Sequence, residues 1–212
     1  DIKRDRVRSV VVTPKEGGEA EKVTVPRDKP DGAFTLQGIP EGKELKTPGN
    51  QESVVAGLAF TTFDDVRKAD AVDFAGTAGG KPGADVLLRT WDGLFVKVES
   101  TEVDGKTWWK LSASADPEPF KEGEGDAAKP KRTPEEVTKE VDELNARWAG
   151  WAYAPVPYKA TSFKVKMSEQ VKDKAPPAAA TPAEGGAVPP GTTPAPFPLG
   201  PSTPVPPPAT PK

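Results

Sequence analysis

Alternating hydrophobic and polar positions predict an antiparallel hairpin near the start of the chain. Residues 7–13 are rich in β-branched side chains and are followed by a proline and a glycine pair. Residues 22–26 alternate valine with polar residues, as the returning strand of a hairpin does. A Pro-Asp-Gly turn comes next, and we expect a third short strand over residues 34–36.

The strongest pattern predicts a three-stranded meander in the middle of the chain. Its strands are rich in Val, Leu, Phe and Trp and span residues 85–91, 94–101 and 107–115. We expect a type I′ turn at Asp92-Gly93 and another at Asp104-Gly105, because Asp-Gly accepts the positive φ angles of that turn. Residues 71–74 are a candidate fourth strand. The alternation points six side chains inward: Val86, Leu88, Val96, Val98, Trp109 and Leu111.

Two amphipathic helices are predicted. The first begins at Asn50, a favourable N-cap, and ends near residues 61–62. The second begins with a capping box, in which Thr133 caps, Pro134 takes the first helical position and Glu136 closes the box. Each helix carries one apolar face, formed by Val54, Val55, Leu58 and Ala59 in the first and by Val137, Val141, Leu144 and Trp148 in the second.

The end of the second helix is marked by Gly150, after which residues 151–153 have the composition of an extended segment. We expect a short helix over residues 158–171. The remaining residues, 175–212, hold 14 of the 26 prolines and two charged residues. Such a segment buries too little apolar surface to offset the entropy of ordering, so we expect a disordered, proline-rich tail.

These elements predict an α+β fold, in which antiparallel β-hairpins and a meander are packed against two main amphipathic helices. Residues 1–69 contain the first hairpin and helix, and residues 70–174 contain the meander and the second helix. The two parts form either one domain or two small lobes that meet near Ala69. The tail over residues 175–212 lies outside both.

Composition excludes several classes of function. The chain has 29 basic and 32 acidic residues, a net charge of −3, which argues against nucleic-acid binding. Histidine and cysteine are both absent, so histidine-based triads, thiol nucleophiles and disulfides are excluded, as are zinc sites of the usual ligands. The longest charge-free, apolar-leaning stretch before the tail is far shorter than the roughly 20 residues that span a bilayer.

The motifs that could carry chemistry are weak. Residues 76–82 resemble a phosphate-binding loop but lack its first glycine and its hydroxyl residue, so a turn is favoured. Glu122, Glu124 and Asp126 lack the spacing of an EF-hand. Carboxylates at Asp64-Asp65 and serines close to lysines fit turns and strands without a catalytic role. We therefore predict no catalytic residue, no cofactor and no metal site.

Aromatic residues are the better candidates for a binding surface. The chain has five tryptophans, and the periodicity places Trp109 and Trp148 in the core. Trp108 points to the opposite face of its strand. We therefore predict a partner surface that includes Trp108, Trp151 and Tyr158. A platform that stacks on sugars is the alternative use of these rings.

Several segments in order resemble the bacterial family called domain of unknown function 4340. They cover about residues 2–167, and are residues 6–14, 34–36, 39–45, 63–67, 90–94, 143–153 and 157–160. The final part departs from the family's more regular helical pattern at residues 161–166, and the proline-rich tail is an addition.

The resemblance implies a soluble C-terminal portion of a periplasmic or otherwise extracytoplasmic protein, whose full-length form is anchored by an N-terminal transmembrane helix that this chain lacks. Such proteins are associated with ABC-transporter-like and gliding-motility-like components of the cell envelope. The family supplies no catalytic residues. We therefore expect a non-enzymatic envelope protein with protein partners in a membrane-transport assembly. The alternative is a module that binds glycans or other envelope ligands.

Overall fold

The structure, a computed structural model, describes residues 1–116 and 132–174. Most of these residues belong to β-strands or to short helical segments. The strands are β1 (Val7–Pro14), β2 (Val23–Pro26), β3 (Lys43–Leu45), β4 (Phe63–Lys68), β5 (Lys81–Thr90), β6 (Leu94–Val103), β7 (Lys106–Ala115), β8 (Trp151–Pro155) and β9 (Val171–Asp173). The α-helices are α1 (Gln51–Val55), α2 (Pro134–Trp148), α3 (Pro157–Ala160) and α4 (Met167–Gln170).

One antiparallel sheet organises the fold. Its seven strands lie in the order β2-β1-β5-β6-β7-β8-β4, and β3 pairs separately with β9. Strands from residues 1–69 lie at both ends of this sheet and strands from residues 70–174 lie between them, and the described residues form one compact unit. The α+β fold with a large antiparallel sheet is therefore confirmed. The predicted tail over residues 175–212 lies outside the described residues.

The main core lies between one face of the sheet and the helices. All six side chains predicted to point inward are buried, and Val86, Val96 and Trp109 are completely inaccessible. Helix α2 packs on β7, and its capping box is present as predicted, with the Thr133 side chain accepting from the Glu136 N–H.

Ion pairs fix α2 to the opposite end of the chain. Arg6 donates two parallel hydrogen bonds to Glu140, at 2.9 and 2.8 Å, and a third to Asp92 at 3.0 Å. All three side chains are largely buried. The cluster therefore joins the start of β1, the β5–β6 loop and the middle of α2.

The two Asp-Gly turns differ from each other. Asp104 and Gly105 have φ angles of 53° and 73°, as a type I′ turn requires. At the other turn the positive φ is confined to Gly93, and the Gly93 N–H donates to the Thr90 carbonyl at 3.4 Å. The predicted type I′ turn at Asp92-Gly93 is therefore wrong. The chain instead forms a three-residue loop whose glycine takes the left-handed position.

The first predicted helix is much shorter than expected. Helix α1 ends at Val55 and continues as a 3₁₀ turn over Ala56–Leu58, so a second main amphipathic helix is not formed. Gly57 explains the tight packing here, because a Cβ at this position would lie 2.4 Å from the Phe163 ring. Asn50 does not cap the helix with its side chain, which donates instead to Gln170 at 2.7 Å.

The helix predicted over 158–171 is also interrupted. Phe163, Val165 and Met167 are all buried, a spacing of two residues that belongs to extended chain rather than to one helix. Short helical segments therefore flank an extended stretch, and β9 follows as a strand. The predicted strand over 71–74 is absent from the described residues as well, and residues 34–36 lie alongside β2 without forming a named strand.

Candidate functional site

The predicted partner-surface residues lie in three different environments. Trp108 is 1% exposed, Trp151 is partly buried, and Tyr158 is 67% exposed. Trp108 does point away from the main core, as its alternation with Trp109 predicts. A second small cluster covers it, however, so Trp108 is not available to a partner.

The second cluster forms because β8 places small residues against the tryptophan. Ala152 and Ala154 are fully buried beside Trp108, and Val72 closes the cluster. The Arg67 guanidinium lies over the indole ring at 4.6 Å, a cation–π contact made across β8 from strand β4. The prediction that Trp108 contacts a partner is therefore wrong, since its indole fills a core.

Exposed apolar side chains concentrate at the β4 end of the sheet. Within the described residues the large hydrophobic side chains classed as exposed are Phe60, Phe63, Val66 and Tyr158. Phe63 also contacts the Tyr153 ring, with centroids 4.9 Å apart. We call Phe60, Phe63 and Tyr158 the Phe60 patch.

Two hydrogen bonds bring the parts of the Phe60 patch together. The Lys159 ammonium donates to the carbonyl of Ala59. Tyr158 precedes Lys159 in the chain and Phe60 follows Ala59, so this bond joins the two segments that carry these aromatic residues. The Val156 N–H donates to the Thr62 carbonyl at 3.2 Å, which holds the chain before Tyr158 beside the chain before Phe63. The three aromatic rings therefore project from adjoining segments.

Lys159 is a buried residue that supports this arrangement. Its ammonium donates to the Ala56 carbonyl at 2.8 Å as well as to Ala59, so it satisfies carbonyls at the end of the α1 segment. Burial lowers the pKa of Lys159 below its usual value. Its bonds within the described residues go to backbone, which identifies it as a structural anchor for the Phe60 patch.

Phe60 has an unusual backbone. Its φ angle is 51°, in the left-handed region that glycine or asparagine normally occupies, and its side chain is 76% exposed. Its N–H donates to the Asp1 carboxylate at 2.8 Å. A bulky, exposed side chain on a left-handed backbone is an outlier of the kind that concentrates at functional sites.

No family model, curated protein or solved structure matches this chain. Membership of the family resembled above stays a prediction that rests on the segments named for it.

The glycine-rich loop over residues 76–80 is occupied by a group from the chain. The Asp73 carboxylate accepts the N–H groups of Thr77, Ala78 and Gly80 at 3.1, 2.6 and 3.0 Å. These bonds lower the pKa of Asp73 to about 2. Because an internal carboxylate takes the amides that a phosphate would need, the loop has the role of a turn.

The remaining candidates for chemistry have structural partners. Ser100 is buried, accepting from the Ala84 N–H at 2.7 Å and donating to the Ala84 carbonyl at 3.1 Å. Asp65 pairs with Lys106 at 3.3 Å. Glu122, Glu124 and Asp126 lie outside the described residues. Among the residues that the structure describes, no three potential metal ligands form a group.

An arginine-lined groove of about 660 Å³ lies on the other face of the sheet. Arg27 donates to the carbonyl oxygens of Val7 and Asp5, and Arg89 lies 3.8 Å from the Asp116 carboxylate. These guanidinium groups serve contacts within the chain. Separately, none of the helices in residues 1–116 and 132–174 is long and apolar enough to cross a bilayer.

Sequence reasoning missed β4 and Phe60. Residues 63–68 read Phe-Asp-Asp-Val-Arg-Lys, with no alternation of apolar and polar positions, because this strand lies exposed at the sheet edge. The available signal was the presence of two phenylalanines within a short polar stretch, at positions 60 and 63.

Proposed function

We propose that this chain is a non-enzymatic binding protein of the cell envelope that holds a protein component of a membrane-transport assembly on the Phe60 patch. One observation carries the proposal: the exposed large apolar side chains of the described residues gather at one end of the sheet. The family resemblance supports the envelope setting.

The chemistry of the Phe60 patch fits a protein partner. Aromatic side chains are enriched in the buried centres of protein interfaces, where a few of them supply most of the binding energy. Phe60 and Tyr158 present most of their surface to solvent, and buried Lys159 fixes the segments that carry them. A partner that covers both rings removes apolar surface from water without reordering the backbone.

A site-specific photo-crosslinking experiment tests this proposal. A photoreactive amino acid is placed at position 60 or 158 of the full chain, and the protein is irradiated with membranes of the source bacterium. Lys97, which is exposed on β6 and separated from β4 by β7 and β8, provides the matched control position. We expect positions 60 and 158 to capture the same transport-assembly component, and position 97 not to capture it.

The Phe60→Asn variant tests whether loss of the Phe60 ring weakens binding of the captured component. Asparagine tolerates the left-handed backbone, so the fold is retained while the ring is lost. Loss of an aromatic anchor costs about 2 kcal/mol, or roughly a thirtyfold loss of affinity for the captured component. Identical products from positions 60, 158 and 97, or unchanged capture by Phe60→Asn, would contradict the proposal.

The glycan-binding alternative has less support. Trp108 is buried, so sugar stacking would have to depend on Trp151, whose ring already has the Lys68 ammonium 3.9 Å from its centroid. A titration with cell-wall sugars checks this alternative. Quenching of tryptophan fluorescence that Trp151→Phe abolishes would revive it.

A further inference from the structure

The β4 edge, which we define as residues 64–68, has backbone groups that point away from the sheet. In an antiparallel pair, alternate residues direct both N–H and C=O toward the neighbouring strand. The Ala69 N–H donates to the Gly150 carbonyl at 2.9 Å, so Arg67 and Asp65 face β8, opposite Ala152 and Ala154. Val66 and Lys68 therefore direct their backbone groups outward.

Other edges of the large sheet have covering groups. Beyond β2, the N–H groups of Thr35 and Gln37 donate to β2 carbonyls. The end of β7 is covered by Asn145, whose side chain both accepts from and donates to Ala113, at 2.9 and 2.8 Å. At the β4 edge, the Val66 N–H donates to the carboxylate of Asp65 at 2.9 Å. Within the described residues this edge thus carries a side-chain cap rather than a neighbouring segment.

The charges of the β4 edge are complementary to those of an antiparallel copy of itself. The register with β8 is regular over residues 65–68 and shifts between Phe63 and Asp65, so the established outward groups allow Val66 to pair with position 66 or 68 of a second copy. Pairing with position 68 puts Arg67 opposite Arg67, and like charges that oppose each other are destabilising. With Val66 opposite Val66, Asp65 faces Arg67 on both sides of the axis.

We propose that this chain forms a two-fold symmetric dimer in which β4 pairs antiparallel with β4 of a second copy, with Val66 at the axis. The pairing joins two seven-stranded sheets into one continuous sheet, and the same patch serves both copies, as a two-fold interface requires. This inference concerns the backbone edge and is independent of the partner proposed for the Phe60 patch.

The cap on Val66 predicts that the dimer is weak. Asp65 releases the Val66 N–H, which then donates to the Val66 carbonyl of the second copy, so one hydrogen bond replaces another. The net gain comes from the opposed charges and from burial of Val66, which is 47% exposed. We expect a dissociation constant in the micromolar range, and weaker association at high salt.

A charge-swap experiment in the analytical ultracentrifuge tests the dimer. R67D opposes like charges at Asp65 and keeps the Asp65 cap, so it is expected to dimerise at least tenfold more weakly than the wild type. D65R opposes like charges at Arg67 but also frees the Val66 N–H, so its loss is expected to be smaller than that of R67D. An equimolar mixture of the two restores opposite charges in every pair and is expected to recover the dimer. Recovery in the mixture also excludes misfolding as the cause of the single-variant losses.

Two further variants test whether β4 is the strand that pairs and whether Val66 lies at the axis. V66P removes an outward N–H without removing a bond to β8, and is expected to abolish the dimer while preserving the circular dichroism spectrum. The chain has no cysteine, so V66C is expected to join two copies through a short bis-maleimide, whereas K97C serves as the exposed control. A wild type that stays monomeric at several hundred micromolar, or a dimer that R67D and V66P leave intact, overturns the inference.

Discussion

Trp108→Ala measures whether this tryptophan is core or surface. A buried tryptophan removes about 200 Å² from water, which at about 25 cal/mol per Å² corresponds to about 5 kcal/mol. The unfolded chain already buries part of this surface, so a loss of about 3–4 kcal/mol in the free energy of unfolding is expected. The Arg67 contact adds little, since that side chain is 48% exposed.

Urea unfolding of the full chain, followed by far-ultraviolet circular dichroism, provides the assay. Trp151→Ala is the matched control, because Trp151 is partly exposed and packs against Lys68 at the end of the same sheet. We expect the control to lose about 1 kcal/mol, the usual size for a partly exposed position. If Trp108→Ala also stays within about 1 kcal/mol of the wild type, the burial of Trp108 and the second cluster are refuted.

Three other changes test separate parts of the structure. Gly57→Ala drives a methyl group into the Phe163 ring and should lower the free energy of unfolding by about 1–3 kcal/mol, as measured by urea unfolding. A Cβ at Gly42 meets no atom within 4 Å, so Gly42→Ala reports backbone strain alone. Asp73→Asn should destabilise the protein at neutral pH but not near pH 2. The depressed pKa of the Asp73 carboxyl gives stability that is lost as the pH falls through about 2. Equal urea midpoints for the variant and the wild type at neutral pH would contradict this prediction. Lys159→Met removes the donor to the buried Ala59 carbonyl, while the Ala56 carbonyl keeps its bond from the Ala59 N–H, and should cost about 2 kcal/mol. An unchanged urea midpoint would show that Lys159 is no anchor.

The buried half of the fold was predictable from local pattern. The meander, the Thr133 capping box and the inward set of side chains follow from alternation, turn chemistry and helix capping, all of which act between near neighbours in the sequence. The core positions Val86, Leu88 and Trp109 needed no knowledge of the tertiary structure, because one face of each strand is mostly apolar.

The missed features depend on contacts between distant residues. Trp108 is buried because Ala152 and Ala154 arrive from a strand far along the chain, and alternation cannot show what covers a second face. The early end of α1 depends on the approach of Phe163 to Gly57. The exposed strand β4 has no pattern to detect, since neither of its faces is strongly buried.

The sheet order has a consequence for how the chain folds. The hairpins of β5, β6 and β7 join neighbours in sequence, and such local contacts form early. Strand β4 can pair only after β8 has been synthesised, since Lys68 pairs with Trp151. On the ribosome, residues 63–68 therefore emerge long before their neighbour is synthesised, and the sheet is completed from its centre toward this margin. The same strand should be the first to detach under native conditions, so its amide hydrogens facing β8 should exchange sooner than those of β6.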